Sequence, residues 1–431
     1  MDLTQQPPRR PSNVGVGGMV NLARMTDKAR ANVEETEGEF LYGEASGLDK
    51  ILLDFLGISA DDFADAAGRY GDVELAVWAR RVSEVTDADL ETFNRHHLGR
   101  EPDDDAGRGR LIERVEKYAA GRTDIKTVFQ SIELDDWASF REVDLCSKAP
   151  RTPYDRGVMG VYGLARMADK ARAEKCGKLG EYIYNCPIDQ AAMAFLGVSA
   201  DDFGTAAWEN PNDLELTEWV EANSSRRSGE ISGFNATIFT KGPESEEERE
   251  IFQAGLNRSA PGRTDVVTWF DLLDLDDEAS FGTVDLTRRP PRSPYDTSAS
   301  GMAGLSRMID KGRAFLCGTL SDYWYGEDSG VDRFVLKFLG ISADAFTDAL
   351  REYKTDEELV AWIGEQEAKT ESEIERYNQE ANNLGPSSEA SAVWLRGVVD
   401  SLDPSRTDIE TYFGLMQLSD RISFQRLKAG V

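Results

Sequence analysis

LARMADKARA, residues 164–173, occurs in three versions in this chain: it stands at 22–31 as LARMTDKARA and at 305–314 as LSRMIDKGRA. The flanks repeat with it. DLTQQPPRRPSN opens at Asp2, DLCSKAPRTPYD at Asp144 and DLTRRPPRSPYD at Asp285, a period of 141–142 residues. Each unit also closes alike, on GRTDIKTVFQSIELDDWASF from 121, GRTDVVTWFDLLDLDDEASF from 262 and SRTDIETYFGLMQLSDRISF from 405. A period of this length is far beyond a solenoid repeat and matches the size of an independent domain. Three tandem domains are expected, at 1–143, 144–284 and 285–431.

Within a unit the periodicity is helical. Leu164, Met167, Ala168 and Ala171 recur at spacings of three and four, which places them on one helix face. DKILLDFLG (49–57) reads as a second helix with Gly57 at its C-terminal cap, and Ser59 of SADDF caps the start of a third. TDEELVAWI (355–363) and TESEIERYN (370–378) carry capping boxes, Thr with Glu three residues on. Strand-like alternation is confined to EFLYG (39–43) and EYIYN (181–185), each too short to build a sheet. The expected fold is mainly α: three homologous bundles of about six helices each. PPRRP, APRTP and PPRSP cannot be helix interior, because proline lacks the donor and crowds the preceding turn. They are expected to be extended. A linker explains their prolines, but not why Arg9, Arg151 and Arg292 hold equivalent places.

The chain has 431 residues and a formal net charge of −30, with 40% hydrophobic residues, enough for real cores. No apolar run approaches the roughly 20 residues of a membrane span. No leader peptide is evident, since the first residues already belong to a repeat, and a cytoplasmic location is expected. So acidic a surface repels phosphate backbones, which argues against a nucleic-acid partner. Arg outnumbers Lys by more than two to one, a balance that fits either adaptation to a salty cytoplasm or ordinary acidic solubility. Four cysteines (146, 176, 186 and 317) do not repeat with the repeat, no CxxC occurs, and the two histidines, His96 and His97, are adjacent in one unit. Neither a disulfide framework nor a zinc site is expected, and no cofactor is implied.

RPPRSPYD, the LARMxDKxRA helix, GEYIYNCPIDQ, FLGVSADDF and TWFDLLDLDDEASFG together resemble a bacterial family known as a domain of unknown function, number 5069. The resemblance covers all three units. It is closest in the middle one, whose GEYIYNCPIDQ has the form of single-domain members. The outer units depart there, with YGEASGLD (42–49) and YGEDSGVD (325–332). The resemblance brings no activity with it.

The three copies can be compared within one chain. Arg24, Asp27, Lys28 and Arg30 reappear as Arg166, Asp169, Lys170 and Arg172 and as Arg307, Asp310, Lys311 and Arg313. Also kept are Tyr42, Tyr184 and Tyr325, and Asp49, Asp189 and Asp332. The offsets put Arg166, Asp169 and Lys170 opposite the apolar stripe, with Arg172 on its flank. An exposed ion ladder would not care whether Arg became Lys, so a merely solvated face explains the pattern badly. Either the face is covered by the Pro-rich lead-in and the GEYIYN segment in a buried network, or it lines a pocket. In the pocket reading Arg166 and Lys170 bind an anion, and Asp169 orients these two cations.

Cys186 in NCPID is the one candidate nucleophile, although packing explains it too and no histidine is there to serve it. Cys176 and Cys317 read as small core residues. GVGGMV (15–20) reads as a flexible approach to a helix, not a dinucleotide loop. DDD (103–105) and ESEEERE (244–250) read as helix starts rather than cation sites. The leading functional expectation is a tandem module that binds a protein partner or small anionic ligand through each domain, with avidity from linkage. The alternative is an enzyme whose middle domain uses Arg166, Lys170, Tyr184, Cys186 and Asp189. A structural spacer, lacking any pocket beside the charged face, is the third.

Overall fold

The computed structural model describes residues 1–259, 263 and 266–428. Apart from Arg263, the GRTD of the second repeat (262–265) lies outside the described residues. These hold twenty-one α-helices and no strand, seven helices per repeat rather than the expected six. In the first repeat they are Leu22–Val33, Gly47–Leu56, Ala60–Arg69, Asp72–Val82, Asp87–Gly99, Asp105–Tyr118 and Val128–Phe140. The order recurs downstream. The signature helices there are Leu164–Lys175 and Leu305–Cys317, and the closing helices are Trp269–Phe281 and Tyr412–Lys428. EFLYG and EYIYN are turn and coil. Among the described residues no helix is long and apolar enough to cross a membrane.

The chain divides into two compact units, Met1–Phe239 and Thr240–Val431. The first holds the first repeat and five helices of the second; the other holds the last two helices of the second repeat and the whole third repeat.

Local chemistry sets the helix ends. The Gly57 cap is left-handed (φ 66°), and Ser59 Oγ accepts from Asp62 N at 3.1 Å. Thr355 and Thr370 form the expected capping boxes. Asp104 caps Asp105–Tyr118, and Glu248 accepts backbone N–H groups at the start of Glu246–Ser259, so both acidic runs serve as helix starts. Each signature helix is entered through a left-handed residue, Asn21 (φ 63°), Gly163 (φ 80°) or Gly304 (φ 81°), where glycine avoids a side-chain clash.

The cores are equivalent. Met25, Phe63 and Leu75 are matched by Met167, Phe203 and Leu216 and by Met308, Phe346 and Leu359. GVGGMV is no flexible approach: Gly17 and Gly18 turn the chain at positive φ so that Val16, Met19 and Val20 enter the core. The core reading of two cysteines also fails. Cys317 is exposed, and Cys176 is half-buried with its thiol on the Val143 and Arg172 carbonyls.

Candidate functional site

Up to its last turn the signature helix has no solvent face. Leu22–Ala29, Leu164–Ala173 and Leu305–Ala314 are buried without a break, charged residues included. The picture of an apolar stripe opposed by a charged face is therefore incomplete, since the charged side is covered as well. Burying an ion without a partner is prohibitive, so each charge must be met inside the protein.

Asp27 is met from the Pro-rich lead-in. Arg9 donates its backbone N–H to Oδ2 at 2.8 Å, and its guanidinium grips the carboxylate through Nε (2.9 Å) and Nη2 (2.7 Å). Arg9 and Asp27 are 2% and 0% exposed. Arg9 also reaches Asp72 at 2.6 Å, which takes Arg30 on its other oxygen at 2.7 Å. The arrangement recurs. Arg151 grips Asp169 and Asp213, Arg292 grips Asp310 and Asp356, and Arg313 shares Asp356 at 2.6 Å. Burial works against the Asp169 carboxylate, but Arg151, with Arg172 behind it, outweighs that and holds it below the usual range. Burial and the like charge of Arg151 lower Arg172, whose Nε and Nη2 donate to the Ala207 and Asn210 carbonyls at 2.9 and 3.0 Å.

The lysine faces the other way. Lys311 donates to Asp332 (2.6 Å), the Trp324 carbonyl (2.9 Å) and Ser329 Oγ (3.2 Å), which uses all three ammonium protons. Lys28 repeats this with Asp49 (2.7 Å), Leu41 O and Ser46 Oγ. Burial pushes Lys28 down to about 8, with Asp49 pulling back. In the middle repeat Lys170 meets Asp189 (2.6 Å), Ile183 O (3.1 Å) and Cys186 Sγ (3.4 Å). Cys186 thus has counterparts after all: it precedes its helix where Ser46 and Ser329 precede theirs, and its thiol stands in for their hydroxyls.

The first arginine of the signature caps the network. Arg24 and Arg307 pair with Asp136 (2.6 Å) and Asp420 (2.7 Å) of their closing helices and lie over the Phe40 and Tyr323 rings. Arg166 donates to the Arg151 carbonyl at 3.2 Å and lies over Tyr182. The tyrosines serve neighbouring helices: Tyr42 and Tyr184 donate to the Ala60 and Ala200 carbonyls, and Tyr325 bonds Thr347. Burial, then Asp189, pushes the Tyr184 phenol up.

The structure therefore brings Lys170, Cys186 and Asp189 together, while the Tyr184 hydroxyl is bonded to a carbonyl. Sequence reasoning missed the carboxylates that complete the network, Asp72, Asp213, Asp356, Asp136 and Asp420. Their signal was present: GDVEL, NDLEL and TDEEL each carry the first kind at one place in the repeat.

Beside the network in the first repeat lies a cleft of about 1110 Å³. Arg24 and Lys28 reach its floor, Phe40, Leu41 and Ile132 form apolar wall, and Arg110 and Arg114 come from the helix Asp105–Tyr118. Arg114 is engaged by Asp135 at 2.7 Å; among the described residues Arg110 makes no ion pair and is exposed. Also among the described residues, no group of three His, Cys, Asp or Glu side chains is placed to hold a metal ion.

Fold and network together define an all-α protein of three tandem repeats, each built around a buried arginine–aspartate–lysine brace. The family model described as Domain of unknown function (DUF5069) matches at residues 5–138, 147–279 and 288–422, and the chain belongs to that family. No curated protein matches it.

Proposed function

We propose that this protein is a non-catalytic binding module of three domains, at 1–143, 144–284 and 285–431, that takes a small anionic ligand beside the brace rather than in it. The observation that carries this is the saturation of the signature charges. Lys170 and Lys311 spend every proton on internal acceptors, and Asp27, Asp169 and Asp310 are each gripped by an arginine, so the lysines and aspartates of the signature have no capacity left for a ligand. The same saturation argues against the enzyme reading, because a residue held this way would have to break internal bonds to react.

Beside the brace of the first repeat a cleft stays open to a ligand, with its apolar wall and the unengaged Arg110. That combination fits an amphiphilic anion, in which the acid meets the guanidinium and the body meets Phe40 and Ile132. Anilinonaphthalene sulfonate, an aromatic anion whose fluorescence rises in apolar surroundings, is a suitable probe for the full chain. Saturable binding is expected, weakened at least fivefold by Arg110→Glu and by Ile132→Glu. Unchanged affinity in both variants would overturn the reading.

A further inference from the structure

The third repeat has an open cavity of its own, about 870 Å³, between the segment that follows its signature helix and the helix Ala343–Glu352. Its wall joins two chemistries. Phe315, Trp324 and Tyr325 make it aromatic, with Phe315 and Trp324 51% and 72% exposed and the Phe315 ring 5.4 Å from that of Tyr325. Glu327, Asp328, Asp344 and Asp348 make it acidic, against a single cation, Arg351. Arg351 is paired with Asp348, while among the described residues Glu327, Asp328 and Asp344 make no ion pair.

The fold does not require these rings. Trp324 stands where the other repeats carry Leu41 and Ile183, and Phe315 where they carry Asn32 and Glu174. All six side chains are exposed, so neither ring is kept for packing. Carboxylates alone would single out nothing in a chain of net charge −30. What sets this place apart is that they share a cavity with large rings turned to solvent.

The backbone under Trp324 is fixed from three points. Its carbonyl accepts from Lys311 Nζ at 2.9 Å, the Tyr323 hydroxyl donates to Asp420 at 2.9 Å, and the Tyr325 hydroxyl bonds Thr347 at 3.0 Å. An exposed indole on a backbone held in this way is preorganised for a ligand. Because both phenols are engaged, the aromatic wall offers ring surface rather than hydrogen-bond acceptors.

We propose that this cavity binds a small quaternary ammonium ion, with Phe315, Trp324 and Tyr325 as its π surface and Glu327, Asp328 and Asp344 as its counter-charge. Such an ion spreads its charge over apolar methyl groups and has no N–H to satisfy, so ring faces attract it, tryptophan most strongly. A primary ammonium would turn unspent protons toward those rings. The site lies in another repeat from the anion cleft and selects the opposite charge, so it stands independently of that reading.

The test is calorimetric titration of the full chain with choline and, separately, with its uncharged isostere 3,3-dimethylbutan-1-ol, at constant ionic strength set with KCl. Choline is expected to bind roughly fivefold tighter than the alcohol. Trp324→Ala and Asp344→Asn should each weaken choline severalfold, and Arg351→Gln, which frees the Asp348 carboxylate, should tighten it. All three residues are exposed, so these variants keep the fold. Choline bound no better than the alcohol, or equally well by wild type and Trp324→Ala, overturns the proposal. Nα-acetyl-lysine amide binding as tightly as choline overturns the quaternary assignment and gives the cavity to a lysine side chain of a protein partner.

Discussion

Asp27→Ala, made in the full chain, probes the brace most directly. The substitution removes the carboxylate that receives Arg9 through its backbone N–H, Nε and Nη2, and leaves a guanidinium only 2% exposed. Breaking one side of a buried pair costs about 3–5 kcal/mol, and the orphaned Arg9 N–H adds about 1 kcal/mol. Asp72 still holds Arg9 at 2.6 Å and softens the loss, so a net cost of about 4 kcal/mol is expected. In a unit the size of Met1–Phe239 that lowers the melting midpoint by about 8–16 °C. Differential scanning calorimetry reads the shift, and hydrogen-exchange mass spectrometry should localise the lost protection to Leu22–Val33 and the lead-in. Arg9→Met combined with Asp27→Leu should recover most of the loss, because the penalty comes from an unpaired buried charge rather than from missing attraction. A shift under about 2 °C for the single variant, or a double variant no better than it, would refute the brace.

Two further outcomes are expected. The Glu278 pKa is raised from 4.5 to about 7 by burial, so the folded state keeps a proton that the unfolded chain releases. That stabilisation is complete below about pH 4.5 and lost as pH rises through 7, by up to about 3 kcal/mol, and Glu278→Gln should flatten the profile against wild type in pH-dependent urea titrations. If the acidic surface is an adaptation to salt, the urea midpoint of the full chain should climb from low to molar KCl; a flat response would mark it as ordinary acidic solubility.

The triplication, the helices and their caps were legible because each is a local or a repeated signal. Gly57, Ser59 and Thr355 act within a turn of where they stand. The core role of Val16 and Met19 was masked by the glycines between them, which read as looseness when they in fact make a fixed turn. Cys186 seemed to be without equivalents because its counterparts are serines, matched by place at a helix start rather than by chemistry. The brace itself was half legible. Repetition exposed Arg9, Arg24, Asp27 and Lys28, but not that Arg9 grips Asp27 from 18 residues upstream or that Arg24 pairs with Asp136 more than 100 downstream, separations that leave no periodic mark.

A buried ion network is a poor source of stability compared with apolar packing of the same volume, so its threefold retention calls for another reason. Each ion here draws its partner from a different segment: Arg9 from the lead-in, Asp49 and Asp72 from the starts of the second and fourth helices, and Asp136 from the closing helix. Leucine and alanine could fill that space in several registers, whereas a guanidinium gripped at 2.7 Å on Asp27 admits one. Because the pairs are neutral within themselves, the brace adds nothing to the net charge of −30, which is carried outside it. The signature therefore specifies how the segments of a repeat dock. That leaves equivalent places outside the brace, such as Trp137 and Glu278 in the closing helices VFQSIELDDWASF and WFDLLDLDDEASF, free to differ from repeat to repeat.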